Sequence, residues 1–396
     1  MKVWFSIIPG HGHFFPMIPL ARALGEAGHQ VTFCTSASYG EVVRANGFAS
    51  LAVGPDYTQA SAKGDTTDPE VTRDRVVKMM FMDAPPLILD SLLEQFEVQR
   101  PDVMLVDPVE GGAMLAGEAA GIPFGAVVNA VRPSRLPGRV PFDFDEREAF
   151  LEEWIDGPIA RFRERAGLGD HRLMFDEMPF DRTLTLTMAP PSLDAWPISW
   201  QSHTAHLLRP EIHRSDSDDG WLEALPDDRP IVSVTLGTLF GSVELYTAVI
   251  EAVLGTGARV VAATGLDLDI THPRLSTTRW VSMDRLMERS DVVVHHGGWG
   301  STVAGLATGT PAVVMPLGAD QPWQAARLAS VGAAVQVDRR RIAEEVPSAI
   351  ESVIDDPVYG MNARRLHQEI EAMPAAPEVV PLVEQLAEEG PPVLNR

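Results

Sequence analysis

The stretch from Asp291 to Gln321, DVVVHHGGWGSTVAGLATGTPAVVMPLGADQ, restricts the fold more than any other part of the chain. Val292 to Val294 is an apolar run short enough for one buried strand. His295 and His296 stand at its end, followed by Gly297, Gly298 and Gly300 around Trp299, and then by Ser301 and Thr302. A helical pattern continues to about Thr308, where Gly309 stops it and Pro311 stands beyond. A second apolar strand, Ala312 to Met315, leads through Pro316 to Asp320-Gln321. Strand, glycine turn, helix, strand is the unit of a parallel α/β sheet, and such sheets place ligands at the carboxyl ends of their strands. Glycines let backbone N–H groups approach an anion, and the helix start adds unbonded N–H groups and about half a positive charge. With donors from His296, Ser301 and Thr302, the turn reads as a cradle for a diphosphate. It is not a Walker loop, because no Gly-Lys-Ser/Thr follows, nor is it the G-x-G-x-x-G dinucleotide fingerprint.

A chain of 396 residues exceeds one compact core, so two domains are expected. Mean hydropathy is near zero, and no apolar run reaches the ~18–20 residues of a membrane helix. The N-terminus enters a strand at Val3 without a targeting segment. A single cysteine, Cys34, excludes an internal disulfide framework and fits a reducing compartment, so a cytoplasmic location and no membrane partner are expected. The net charge of −23 argues against nucleic acid as a partner and requires any anionic substrate to be held by a local site.

The first half opens β-α-β: VWFSII at 3–8, a loop with His11 and His13, a helix from Pro16 to about Ala27, and a strand from Val31 to Thr35. A short strand at 51–53, a helical stretch over 76–98 interrupted at Pro85-Pro86, and a strand at 103–106 ending at Asp107 follow. A helix at 110–120, a strand at 122–128, helical segments at about 146–166 and 172–177 and a strand at 183–188 complete the first half. Residues 201–229, with Pro210 and the acidic run from Asp216 to Asp219, lack a period and read as a linker. Ile231 to Leu236 starts a second Rossmann-like half with its turn at Gly237-Thr238, then a strand at 259–263, a strand at Trp280-Val281 and a helix at 284–288. The expected organisation is 1–200, linker 201–229, 230–373, and a last helical tail 374–396.

His296-Gly297-Gly298-Trp299-Gly300-Ser301-Thr302, Gly309-Thr310-Pro311, Pro316 and Asp320-Gln321 together resemble the donor signature of the UDP-glycosyltransferase-like superfamily. The bacterial antibiotic glycosyltransferases with an HHGG signature are its most similar branch. The resemblance implies the GT-B fold, α/β with two Rossmann-like doubly wound domains facing a central cleft, and inversion at the sugar carbon. It also implies that the terminal helix returns to the first domain. A histidine after the first strand suits the work of a base towards a hydroxyl. Gly12-His13-Phe14-Phe15-Pro16 resembles the family's Gly-His-x-x-Pro, which gives His13 the catalytic role. Pro101-Asp102, Asp107 and Gly121-Ile122-Pro123 resemble the context of its partner aspartate, which makes Asp107 the residue that orients the base.

For the donor, the resemblance assigns Thr238, His296, Gly297, Gly298, Gly300, Ser301 and Thr302 to the diphosphate. It assigns Trp280, Val281 and Met283 to the nucleobase, and Asp320 and Gln321 to the sugar. Ala304 stands where relatives using UDP-sugars carry a glutamate for the ribose hydroxyls, which fits a dTDP-sugar donor. Phe14, Phe15, Met79, Met82 and Phe142 are apolar candidates for the acceptor pocket. No metal and no cofactor beyond the nucleotide sugar are expected; Asp267-Leu268-Asp269 reads as a solvated loop. The expected function is transfer of a deoxysugar from a nucleoside diphosphate to a hydroxyl of an apolar natural-product aglycone. The alternatives are a UDP-sugar enzyme acting on another lipophilic acceptor, a sugar-nucleotide epimerase or hydrolase, and a non-catalytic nucleotide-binding helper; a homodimer is left open.

Overall fold

The computed structural model describes residues 1–56, 75, 78–130, 157–168, 183–194, 204–212, 219–237, 241–318 and 320–390. Two compact units divide the chain: 1–188 with 196–209 and 374–396, and 189–195 with 210–373.

The first unit is built on a seven-stranded parallel sheet. Its strands are β1 (Lys2–Ser6), β2 (Gln30–Thr35), β3 (Ala49–Ala52), β4 (Val103–Val106), β5 (Phe124–Val128), β6 (Leu184–Thr187) and β7 (Ala205–Leu207), in the order β3-β2-β1-β4-β5-β6-β7. The helices are α1 (His11–Phe14), α2 (Ile18–Glu26), α3 (Gly40–Ala45), α4 (Ala84–Val98), α5 (Gly111–Ala120) and α6 (Gly157–Arg165). Strands β1 and β4 are buried almost throughout, which their unbroken apolar runs require of a sheet covered on both faces. Trp4, Cys34, Met104 and Val106 on the sheet pack with Ile88, Leu92 and Leu115 from α4 and α5.

The expected interruption at Pro85-Pro86 is absent. Both prolines lie in the first turn of α4, where a missing N–H costs nothing, and the irregular backbone is the π-helical turn Met79–Asp83 before them.

The second unit carries a six-stranded parallel sheet in the order β10-β9-β8-β11-β12-β13. These are β8 (Ile231–Thr235), β9 (Arg259–Ala263), β10 (Leu275–Thr278), β11 (Val292–His295), β12 (Ala312–Val314) and β13 (Ala334–Gln336). Its helices are α7 (Val243–Gly255), α8 (Met283–Glu288), α9 (Trp299–Thr308), α10 (Gln321–Ser330), α11 (Ile342–Asp355) and α12 (Pro357–Glu371). Trp280-Val281 is not a strand: the edge strand is Leu275–Thr278, and the Trp280 pair belongs to the turn into α8.

Residues 219–229 are packed into this unit. Leu222 is buried with Val281 and Leu286, and Asp219 Oδ2 accepts the Ser282 N–H at 2.9 Å. The last helix, α13 (Val379–Glu389), belongs to the first unit, where Glu384 meets His29 at 3.2 Å.

Strand order reverses once in each sheet, between β1 and β4 and between β8 and β11. A crevice opens at such a point because the connections on either side leave towards opposite faces.

Candidate active site

At the first switch point the carboxyl ends of β1 and β4 stand side by side, with Ser6 paired to Val106. After β1 the chain turns into α1, and the N–H groups of His13 and Phe14 both bond the Gly10 carbonyl, at 3.1 and 3.0 Å. Phe14 is fully buried against Phe33, with ring centres 5.0 Å apart, and against Tyr39 and Phe48. This corrects its assignment to the acceptor pocket: Phe14 anchors α1 in the core, while the side chain of His13 beside it stays partly exposed. Asn129 Nδ2 donates to the Gly12 carbonyl at 3.0 Å and fixes the helix from β5.

His13 lies 2.5 Å from Asp107, Nδ1 to Oδ2, with side-chain exposures of 32% and 1%. Asp107 Oδ1 also accepts the Val109 N–H at 3.1 Å, so the carboxylate is oriented on both oxygens. An imidazole that gives its Nδ1–H to a carboxylate has its basic lone pair on Nε2, and the carboxylate stabilises the imidazolium once that nitrogen takes a proton. Asp102 lies at the other end of β4, where its Oδ2 accepts the Lys2 N–H at 2.7 Å. Phe15, partly exposed, meets the edge of His11 at 4.9 Å. Met79 and Met82 are half-buried in the π-helical turn. Phe142 falls outside the described residues.

At the second switch point β8 and β11 end together, with Thr235 paired to His295. The two histidines have different parts. His295 is buried, and its Nδ1 accepts the Gly297 N–H at 3.1 Å; burial pushes it down to about 3. It is therefore a neutral acceptor that shapes the turn. The ring of His296 lies over the backbone of Gly237 and Gly298. A Cβ on Gly237 would come within 2.6 Å of Nε2, and one on Gly298 would collide with the same ring. Burial lowers His296 to about 4, partly offset by a bond to the Thr235 backbone, and its Nδ1 has no partner among the described residues.

Gly297 has φ +87 and needs to be glycine on that ground. Gly300 is different: a Cβ there would meet nothing within 4 Å among the described residues, so no packing contact there requires a glycine. Ser301 and Thr302 are buried in the first turn of α9, and Thr302 Oγ1 has no hydrogen-bond partner among the described residues. An imidazole nitrogen and a hydroxyl without partners among the described residues, both within the connection from β11 into the N-terminus of α9, are polar groups that an anionic ligand there would complete.

Trp280 is 51% exposed, whereas Val281 is buried against Leu222 and Ile231, so Val281 offers a ligand only its backbone. Met283 begins α8 and packs on the same cluster. Gln321 differs from expectation. Its Oε1 is taken by the N–H groups of Leu317 and Gly318, at 2.8 and 3.1 Å, so it shapes the turn before α10 and has only its amide nitrogen to give. Asp320 receives the side-chain amide of Gln324, a fully buried residue that sequence reasoning missed. An amide one helical turn after an acidic residue was the signal available. Thr238 falls outside the described residues, and Asp267 is ion-paired with Arg279 at 2.5 Å.

Residues 257–386 match the family model of the erythromycin biosynthesis protein CIII-like C-terminal domain. The chain is 26% identical to 4'-demethylrebeccamycin synthase of Lentzea aerocolonigenes, over 97% of this chain and 99% of that protein. It is 24% identical to 3-alpha-mycarosylerythronolide B desosaminyl transferase of Saccharopolyspora erythraea, over 98% of each. Among solved structures it is similar to the glycosyltransferase SnogD of Streptomyces nogalater, with a TM-score of 0.73, 22% identity, and 98% of this chain and 99% of that one covered. It is likewise similar to the glycosyltransferase SsfS6 of Streptomyces sp. SF2575 complexed with thymidine diphosphate, with a TM-score of 0.73, 23% identity, and 97% and 99% covered.

Proposed function

The chain is a GT-B glycosyltransferase of the natural-product type, and on that premise we propose that it moves a deoxysugar from a dTDP-sugar to a hydroxyl of an apolar aglycone. The observation that carries the reading is the His13–Asp107 pair at 2.5 Å, at the carboxyl ends of adjacent strands. His13 Nε2 takes the proton of the acceptor hydroxyl as its oxygen attacks the anomeric carbon. The bond from that carbon to the diphosphate breaks on the opposite face, which inverts the centre. Asp107 holds the imidazolium that results.

The negative charge that develops on the leaving diphosphate is met by the N-terminus of α9, by Ser301 and Thr302, and by His296. These donors support transfer without a metal ion. In this reading Asp320, which takes the Gln324 amide, accepts hydrogen bonds from sugar hydroxyls, with the Gln321 amide as a further donor. Trp280 offers an exposed ring to the base.

Two observations support thymidine over uridine. Ala304 is wholly buried and carries no polar group, so this position offers no carboxylate to a ribose 2′-hydroxyl. The similar SsfS6 was solved with thymidine diphosphate. The half-buried Phe15, Met79 and Met82 support an apolar acceptor. The test is calorimetric titration with dTDP and with UDP, each without metal. Tighter binding of dTDP is expected. A preference for UDP removes the donor assignment, and binding of neither removes the diphosphate cradle.

A further inference from the structure

A second carboxyl group lies beneath the His13–Asp107 pair. Glu110 is the residue before α5, where an acidic side chain ordinarily folds over the first N–H groups of a helix. It makes no such cap. It is 3% exposed and turned inward, where Ser6 Oγ donates to its Oε2. Its N–H bonds the Asp107 carbonyl at 2.9 Å, and the Asp107 N–H bonds the Ser6 carbonyl at 2.9 Å. Ser6, Asp107 and Glu110 therefore form one closed ring of bonds at the switch point. The titratable groups facing Glu110 are Asp107 and, on β2, the buried Cys34 thiol; His13 stands one step further, behind Asp107.

Two neighbouring carboxyl groups out of water do not readily carry two charges. Asp107 has an imidazole and a backbone N–H on its oxygens. Glu110 has one hydroxyl and no cation among the described residues. The charge therefore belongs to Asp107 and the proton to Glu110. Burial pushes Glu110 up to about 8, with the Ser6 hydroxyl pulling it down and the charge of Asp107 adding to the rise.

We propose that Glu110 is a positioning residue that acts through Asp107: as a neutral acid it keeps a single negative charge behind His13, and when it ionises, the second charge tightens the hold of His13 on its own proton. The proposal rests on the reading of His13 and Asp107 as base and partner.

The test follows the His13 Cε1–H resonance by NMR in the full chain from about pH 6 to about pH 10, its assignment fixed by loss of the signal in His13→Ala. A second deflection near pH 8 is expected, at the point where Glu110 gives up its proton. It should vanish in Glu110→Gln, whose amide oxygen still accepts from Ser6. The pH profile of kcat at saturating substrates should lose the same inflection. A single deflection in the unmodified chain overturns the proposal whether or not the variant folds, and so does a second deflection that survives in folded Glu110→Gln. Turnover retained by His13→Ala overturns the base reading and the catalytic part of the proposal with it. That failure is separate from the NMR result.

Discussion

His296 occupies the space that a side chain on Gly298 would need, with its Cε1 2.8 Å from where that Cβ would stand. The glycine in this turn is thus needed by a neighbouring ring rather than by its own dihedral angles, since Gly298 has an extended φ of −64. A Cβ on Gly300, two residues on, would meet nothing within 4 Å among the described residues. The contrast separates glycines that seat the histidine from one that leaves room for a ligand. Gly298→Ala should displace His296 and weaken dTDP binding by about tenfold or more, since overpacking of this kind costs about 1–3 kcal/mol. Gly300→Ala should leave the melting temperature unchanged while still weakening dTDP. Equal binding by both variants and the unmodified chain, in calorimetry, would remove the cradle.

His13→Ala should lower kcat by roughly 10²–10⁴-fold, the range a positioned general base contributes. Asp107→Asn should also fall, because its amide favours the wrong orientation of the ring. Both should bind dTDP as the unmodified chain does, because the cradle is built within the other unit. Single-turnover kinetics with titration of dTDP separates the two effects.

Diphosphate capture should draw in a proton. His296 is held neutral by burial, and with Nδ1 unpartnered among the described residues its bond to the Thr235 backbone is assigned to Nε2–H, which leaves the lone pair on Nδ1. An anion placed against it favours the imidazolium, so affinity should rise as pH falls from about 8 towards about 6. Titrations of dTDP in two buffers of different ionisation heat would report the uptake. Equal apparent heats would show that no proton moves.

The thermal stability of the chain should be greatest near the ordinary histidine range. His295 and His296 are held at about 3 and about 4, so the unfolded chain takes up protons that the folded one refuses. Their contribution is present above about pH 6.5 and lost as pH falls. Glu110 works the other way: raised to about 8, it contributes fully below about pH 4.5 and is lost as pH rises through 8. Two histidines outweigh one carboxyl on the acid side. Calorimetric melting of Glu110→Gln should flatten the alkaline arm, and an unchanged arm would remove Glu110 as its source.

Gln324→Leu should raise the KM for the donor with a smaller effect on kcat. The amide of Gln324 reaches Asp320 from a fully buried position, so the substitution removes one of the bonds that orient the Asp320 carboxylate. Michaelis kinetics at saturating acceptor would show this. A change confined to kcat would place Asp320 elsewhere in the reaction.

The turn from His295 to Thr302 was legible because its chemistry is local: glycines, a histidine and hydroxyls within one strand-to-helix connection. His13 and Asp107 were legible through the motifs around them, and the structure joins them. Phe14 was not, because a helix of four residues has no period from which to read its buried face, and the rings of Phe33, Tyr39 and Phe48 from later segments decide it. The strand Leu275–Thr278 was missed since an edge strand needs one covered face only, and its two threonines and serine carry no apolar run. Gln321 reads as a ligand group from sequence, yet its carbonyl is taken by a turn that only the folded chain creates. Glu110 looks like an ordinary helix cap until Ser6, 104 residues away, is brought against it.

The tail of the chain bears on how such enzymes can be recombined. Every donor candidate in the second unit comes from one continuous piece of sequence, but α13 beyond it is packed on the first unit. A hybrid that exchanged everything after the linker would take from the first unit a helix of its own and supply a foreign one in its place. The portable cassette for donor choice therefore ends near Met373, and grafts cut there should remain folded where grafts running to the C-terminus fail.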